Sequence, residues 1–306
     1  MRNAPTGEEY LSIRCEHIPG NKETYPLWLA SYWVEIPTIR KARKHWDDAV
    51  HALEVCIERN PSDTLALRTL ERILSLPWDT PLRGFHESDS SGLVNFCIPT
   101  AWLKTSQINQ MLELMDDDRW ELDFRGIRVV PSDHAARLVS IYNVDGLGYE
   151  TSPRHHDLRE LGEAFAGGFA KLLATVANVD EDHWVAIVVD FVSRKTSYWD
   201  SAKRPICTKI RAAYDWWFHQ HHGTEFEWKA LPSVLQLDGH NCGLVATNRI
   251  AHYIDPHKYP LLDPKACSDE RLRILGRILD RHETTSFPHI AKDFVFTFRY
   301  GLADND

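Results

Sequence analysis

The pair Cys242-Gly243 opens a segment, residues 242–254, whose apolar positions at Leu244, Val245, Ala251 and Ile254 predict a partly buried helix. A cysteine in the first turn of a helix lies at the positive end of the backbone dipole. That field favours thiolate over thiol, and thiolate is the nucleophile. Gly243 leaves room for a substrate carbonyl to approach, and Gln236, six residues before Cys242, supplies an amide donor for an oxyanion. A cysteine by itself is more often a buried structural thiol. The residues that alter this reading are His183, at the head of the apolar run 183–192, and Asp200, at the end of the run 196–200. Both runs read as strands joined by the short polar link Ser193-Arg194-Lys195. An antiparallel hairpin then brings the start of the first strand and the end of the second to one place. Histidine, acid and thiol together make a general-base-activated nucleophile.

His183-Trp184 before an apolar strand, Asp200-Ser201 after the next, and Gln236-x-x-Gly239-x-x-Cys242-Gly243 before a helix resemble the Ulp1/SENP ubiquitin-like-protein proteases, cysteine peptidases of the SUMO-protease type. The resemblance spans roughly residues 80–300 and is sharpest at His183, Asp200, Gln236 and Cys242. It implies hydrolysis of the peptide or isopeptide bond after the Gly-Gly end of a SUMO-like modifier, by deconjugation or precursor maturation. The partners it implies are SUMO or another ubiquitin-like protein, with NEDD8 or ubiquitin as alternatives, together with their conjugates. In the family, one tryptophan after the catalytic histidine and one near the domain start clamp the Gly-Gly tail. The matching residues are Trp184 and Trp102. Two flat rings make a slot that admits glycine and rejects a Cβ; core packing is the competing reading for both. The family usually has Asn where this chain has Asp238, and Asp where it has Asn241. A Cys-dependent acyltransferase on the same fold, or a modifier-binding module without activity, are the readings from other classes. The full set of four residues speaks against the second.

The composition of the 306 residues, 43% hydrophobic and 26% charged, is ordinary for a globular protein. A net charge of −9 and a pI near 6.0 argue against a nucleic-acid partner. No apolar signal region opens the chain and no stretch is long enough for a membrane span. Cys15, Cys56, Cys97, Cys207, Cys242 and Cys267 are scattered without a CxxC pair, which fits neither a disulfide framework nor a zinc site. A reducing, intracellular setting, nucleus or cytoplasm, is therefore expected. The chemistry needs no metal or organic cofactor.

The supporting elements read as α+β: a short mixed sheet flanked by helices, a papain-like core in the order His, Asp, Cys, with the nucleophile at a helix start. Residues 1–76 form an arm with Tyr25, Trp28, Tyr32 and Trp33, then a helical hairpin starting at Pro37 and broken at Asn60-Pro61-Ser62-Asp63. Residues 77–306 form the protease-like domain after a Pro/Gly/Ser-rich link. Within it a helix starts near Thr105 and stops at Asp116-Asp117-Asp118, and Gly126–Pro131 is a short strand. Leu158, Leu161, Phe165, Phe169, Leu172 and Leu173 mark a helix to Val176, weakened by Gly167-Gly168. Residues 206–218 mark another helix, ending in His219, His221 and His222, read as a solvated C-terminus rather than a metal site. Glu225–Ala230 is a strand, Ser268 caps a last helix through Leu279, and Phe294–Phe298 closes the fold. The eleven tryptophans supply either core or a binding surface.

Overall fold

Two consecutive segments that are apolar at nearly every position form the centre of the molecule. β4 (Leu172–Val179) and β5 (His183–Asp190) pair antiparallel over their full length, and both are buried on both faces. The computed structural model describes residues 12–14, 24–26, 28–76, 81–86, 90, 92–121, 126–236 and 238–285. Before these strands come β1 (Ser12–Arg14) and β2 (Thr24–Pro26), a small antiparallel pair, then α1 (Trp28–Arg59), α2 (Thr64–Ser75), α3 (Thr105–Glu121), β3 (Ile127–Val129), α4 (His134–Tyr142) and α5 (His156–Ala166). After them come β6 (Lys195–Trp199), α6 (Thr208–His222), β7 (Glu227–Ala230), α7 (Cys242–Ile254) and α8 (Cys267–Thr284). The main sheet runs β3-β4-β5-β6-β7, parallel at its two outer pairings and antiparallel within.

Strand periodicity divides the core in two. Ala174, Val176, Trp184, Ala186 and Val188 face one layer, built with α1, α2, α3, α7 and α8. Leu173, Ala177, Val185, Ile187 and Val189 face the other, with Leu138 of α4, Phe165 of α5 and Tyr214, Trp217 and Phe218 of α6. Of the tryptophans, Trp46, Trp184, Trp199 and Trp217 are core. The hairpin of α1 and α2 belongs to the first layer: Leu53 and Ile73 share it with Leu275 and Ile278 of α8. Asp63 caps α2 by accepting from the N–H groups of Leu65 and Ala66, both at 3.0 Å.

Several expectations are corrected. The helix placed over 158–176 ends at Ala166. Gly167 caps it, Gly168 takes a left-handed φ of +73°, and Leu172, Leu173 and Val176 lie on β4. A strand buried on both faces has no period of two, so its apolar residues merge with those of the preceding helix. α3 runs through Asp116-Asp117-Asp118, because Asp118 is neutralised by Lys258 (2.9 Å), Arg277 (2.6 Å) and the Tyr259 hydroxyl. α1 begins at Trp28, nine residues before the expected start, and carries Pro37 inside it. α8 starts at Cys267 without a side-chain cap; Asp263 instead caps the 3-10 turn Pro264–Ala266 before it. α4 is an element absent from the expectations above, although its buried Ala135, Leu138 and Ile141 recur at helical spacing. Phe294–Phe298 lie outside the described residues.

Candidate active site

His183 is the first residue of β5 and Asp200 the first after β6. The register Ala186↔Trp199 through Asp190↔Lys195 brings both to one end of the sheet. The turn before His183 is tight: Asp180 and Glu181 take left-handed φ values of 53° and 63°, the twist sense that suits a hairpin. His183 Nε2 lies 2.7 Å from Asp200 Oδ1, and both residues are buried. Asp200 also accepts from the Ala202 N–H at 2.6 Å, which holds the carboxylate still. With Nε2 engaged by Asp200 Oδ1, the other ring nitrogen, Nδ1, is left for a partner. The ring's other hydrogen-bonding neighbour is Cys242. Burial pushes the imidazole down, but hydrogen bonds to Asp200 and Cys242 and their charges outweigh it, and its pKa rises to about 9.

Cys242 is the first residue of α7, 2% exposed, with its N–H in the unpaired first turn. Gly243 serves packing rather than substrate approach. A Cβ there would meet Ile108 Cδ1 at 2.6 Å and Trp184 Cδ1 at 3.1 Å, so glycine lets the first turn of α7 sit on the core.

Gln236 is held by its neighbours: Oε1 accepts from Ser201 Oγ at 3.1 Å and Nε2 donates to Asp238 Oδ1 at 3.1 Å. An amide nitrogen has two hydrogens, so one remains free to donate. Asp238 also accepts from the backbone N–H groups of His240 and Asn241, each at 2.9 Å, and from Asn241 Nδ2 at 2.7 Å. Burial raises this carboxyl, but those donors outweigh it and hold it below the ordinary aspartate range.

The two tryptophans lie in contrasting surroundings. Trp184 is buried, its Nε1 donating to the Leu103 carbonyl at 3.0 Å. Trp102 is 43% exposed and, with His183, Leu235 and Gln236, lines a cavity of about 370 Å3. Asp190 is at the far end of β5, capping the turn to β6 through Val192 and Ser193.

Arg271 escaped the sequence reading. It is fully buried and reaches both the turn before Cys242 and the segment before Trp102. One signal was present: Arg271 falls on the same helical stripe as Leu275 and Ile278, where a charge is out of place. The histidine cluster is corrected in the opposite sense. His221 is half-buried with Nε2 2.7 Å from the Tyr149 hydroxyl, and the His222 ring packs 5.0 Å from Phe191. Burial lowers both imidazoles. Among the described residues no group of histidine, cysteine and carboxylate side chains forms a metal site, and no helix is long and apolar enough to cross a membrane.

No family model and no curated protein matches the sequence. Solved structures match the fold. The C-terminal Ulp1 protease domain in complex with Smt3, the yeast orthologue of SUMO, is similar with a TM-score of 0.56 at 16% identity, over 72% of this chain and 96% of that one. The catalytic domain of the Ulp1-like SUMO protease of Chaetomium thermophilum is similar with a TM-score of 0.54 at 17% identity, over 72% and 89%. SUMO protease Ulp1 with its catalytic cysteine oxidised to a sulfenic acid is similar with a TM-score of 0.54 at 17% identity, over 72% and 95%. The chain therefore has the α+β Ulp1 protease-domain fold.

Proposed function

We propose that this chain is a cysteine peptidase that cleaves after the C-terminal Gly-Gly of a SUMO-like modifier, at an isopeptide bond or in a precursor. The observation that carries the reading is the buried line Asp200–His183–Cys242, with the thiol at a helix start and the imidazole raised to about 9 by its two partners. The fold shared with Ulp1 domains supports it.

In this reading His183 Nδ1 takes the thiol proton, giving a thiolate–imidazolium pair that Asp200 steadies. Cys242 Sγ attacks the carbonyl of the terminal glycine. The free N–H of Gln236 Nε2 and the backbone N–H of Cys242 hold the oxyanion. His183 then protonates the leaving amine as the C–N bond breaks, leaving a thioester on Cys242. Water, deprotonated by His183, attacks the thioester and frees the glycine carboxylate with return of the thiol. The Trp102 face gives the Gly-Gly tail one wall of its slot, while Trp184 supports the floor from below. A nucleophile this buried suits a thin glycine tail and excludes bulkier chains. A SUMO-type substrate places the chain in the nucleus or cytoplasm.

The test is a panel of SUMO, NEDD8 and ubiquitin probes carrying C-terminal electrophiles. The SUMO probe should label the wild-type chain at Cys242 and leave Cys242→Ala unlabelled. Labelling by ubiquitin or NEDD8 alone would reassign the modifier. Acetyl transfer dependent on acetyl-CoA, with no probe labelled, would replace peptidase by acyltransferase.

A further inference from the structure

Arg271 is 0% exposed, and each of its five N–H groups has an acceptor. Nε donates to Asn241 Oδ1 at 2.8 Å. Nη1 reaches the carbonyls of Asn95 (2.9 Å) and Ile98 (3.3 Å), and Nη2 those of Ala101 (2.7 Å) and His240 (3.4 Å). All five acceptors are neutral. Burying a cation without a direct anion is costly, so its position calls for a reason beyond packing. Burial lowers the guanidinium to about 10, which leaves it charged at neutral pH.

The acceptors fall into two groups. Asn241 Oδ1 and His240 O belong to the turn that delivers Cys242. Asn95 O, Ile98 O and Ala101 O belong to the segment that delivers Trp102. Further buried donors hold the same segment: Asn95 Nδ2 donates to Trp102 O at 3.1 Å and Trp184 Nε1 to Leu103 O at 3.0 Å. The carboxylate that answers the cation is one residue removed. Asn241 accepts from Arg271 and donates Nδ2 to Asp238 Oδ2 at 2.7 Å, so its amide joins the two charges. Asp238 in turn orients Gln236.

We infer that Arg271 is a positioning residue that bolts the Cys242 turn to the Trp102 segment and, through the Asn241–Asp238 relay, sets the nucleophile, the oxyanion donor and the slot wall in one frame. The inference rests on the reading of Cys242 as the nucleophile acting on a glycine tail. A lysine cannot replace the arginine: it has the charge but three donors on one atom, and no fork to span two segments.

The experiment compares two rates on the same folded samples of the full chain: cleavage of a SUMO fusion, and alkylation of Cys242 by iodoacetamide. Alkylation reads the thiolate alone; cleavage reads the thiolate, the slot and the oxyanion donor together. For Arg271→Lys the expected result is a fall in kcat of about tenfold to a hundredfold, the scale of an ångström-size misplacement, with alkylation within about twofold of wild type. A merely structural role would lower both rates in proportion to the folded fraction, and that result overturns the inference. Should Arg271→Lys not fold, the relay is tested directly. Asp238→Asn removes the carboxylate, and Asn241→Asp sets two carboxylates against each other. The double variant leaves one carboxylate, now facing Arg271. Its cleavage should exceed that of the poorer single variant by at least about tenfold, and multiplicative losses would overturn the relay. No cleavage by the wild-type chain, with alkylation intact, would instead sink the peptidase reading.

Discussion

His183 makes the site sensitive to pH. Its pKa rises from 6.5 to about 9, because hydrogen bonds and charge from Asp200 and Cys242 outweigh burial. A raised pKa stabilises the protonated form in the folded state. The contribution is whole below pH ~6.5 and is lost as pH climbs through about 9. The imidazolium that protonates the leaving amine in the proposed mechanism is lost over the same range. The expected pH profile of kcat/KM therefore has an alkaline limb near 9. Asp200→Asn removes the negative charge and leaves at most a neutral amide acceptor, so the limb should move acidward by about one unit or more. An unmoved limb in that variant would mean that another group supplies the field.

Each tryptophan takes its role from the element that carries it. Trp184 is the second residue of β5, and strand alternation turns it into the layer under α7, against Gly243. Trp102 precedes α3 on a segment whose carbonyls are taken by Arg271, Asn95 and Trp184, so the backbone is fixed while the ring stays exposed. Trp184→Ala should cost about 3–5 kcal/mol of stability, seen as a fall in Tm. Trp102→Ala should leave Tm close to wild type and slow single-turnover cleavage. The reverse pattern would exchange the roles of wall and floor. The same elements explain why β4 was hard to read. β5 is apolar on both faces too, but the polar link Ser193-Arg194-Lys195 marks it as one arm of a hairpin, whereas β4 follows α5 with only residues 167–171 between them.

At the scale of the molecule the helical hairpin is part of the first core layer. Arg72 pairs with Asp280 at 2.9 Å and with Glu283 at 3.0 Å on α8, and beneath them Leu53 and Ile73 are buried with Leu275 and Ile278. The surface pairs add little; the shared apolar core couples the units. Leu53→Ala should therefore lower stability by about 2–5 kcal/mol and leave one cooperative transition, coincident by tryptophan fluorescence and far-UV circular dichroism. A separate early transition for the hairpin would show that it folds on its own. The hairpin also reaches toward the site: His45 Nε2 of α1 lies 2.5 Å from Asn95 Oδ1, and Asn95 holds the Trp102 carbonyl.

By itself the sequence determined the local settings of the candidate residues. His183 at a strand start, Asp200 at a strand end, and Cys242 at a helix start follow from short-range periodicity and turn residues, which act over a few positions. Tertiary structure alone decided what those residues meet. Gly243 is explained by Ile108 and Trp184, Asp118 is tolerated in α3 because of Lys258, Arg277 and Tyr259, and His221 packs on Tyr149. Each of these partners is distant in sequence, and no local pattern encodes it. The same holds for Arg271. A charge on an apolar stripe marks a buried cation, but only the fold brings the carbonyls of 95, 98, 101 and 240 within reach of one guanidinium, because those acceptors are backbone atoms that every residue carries.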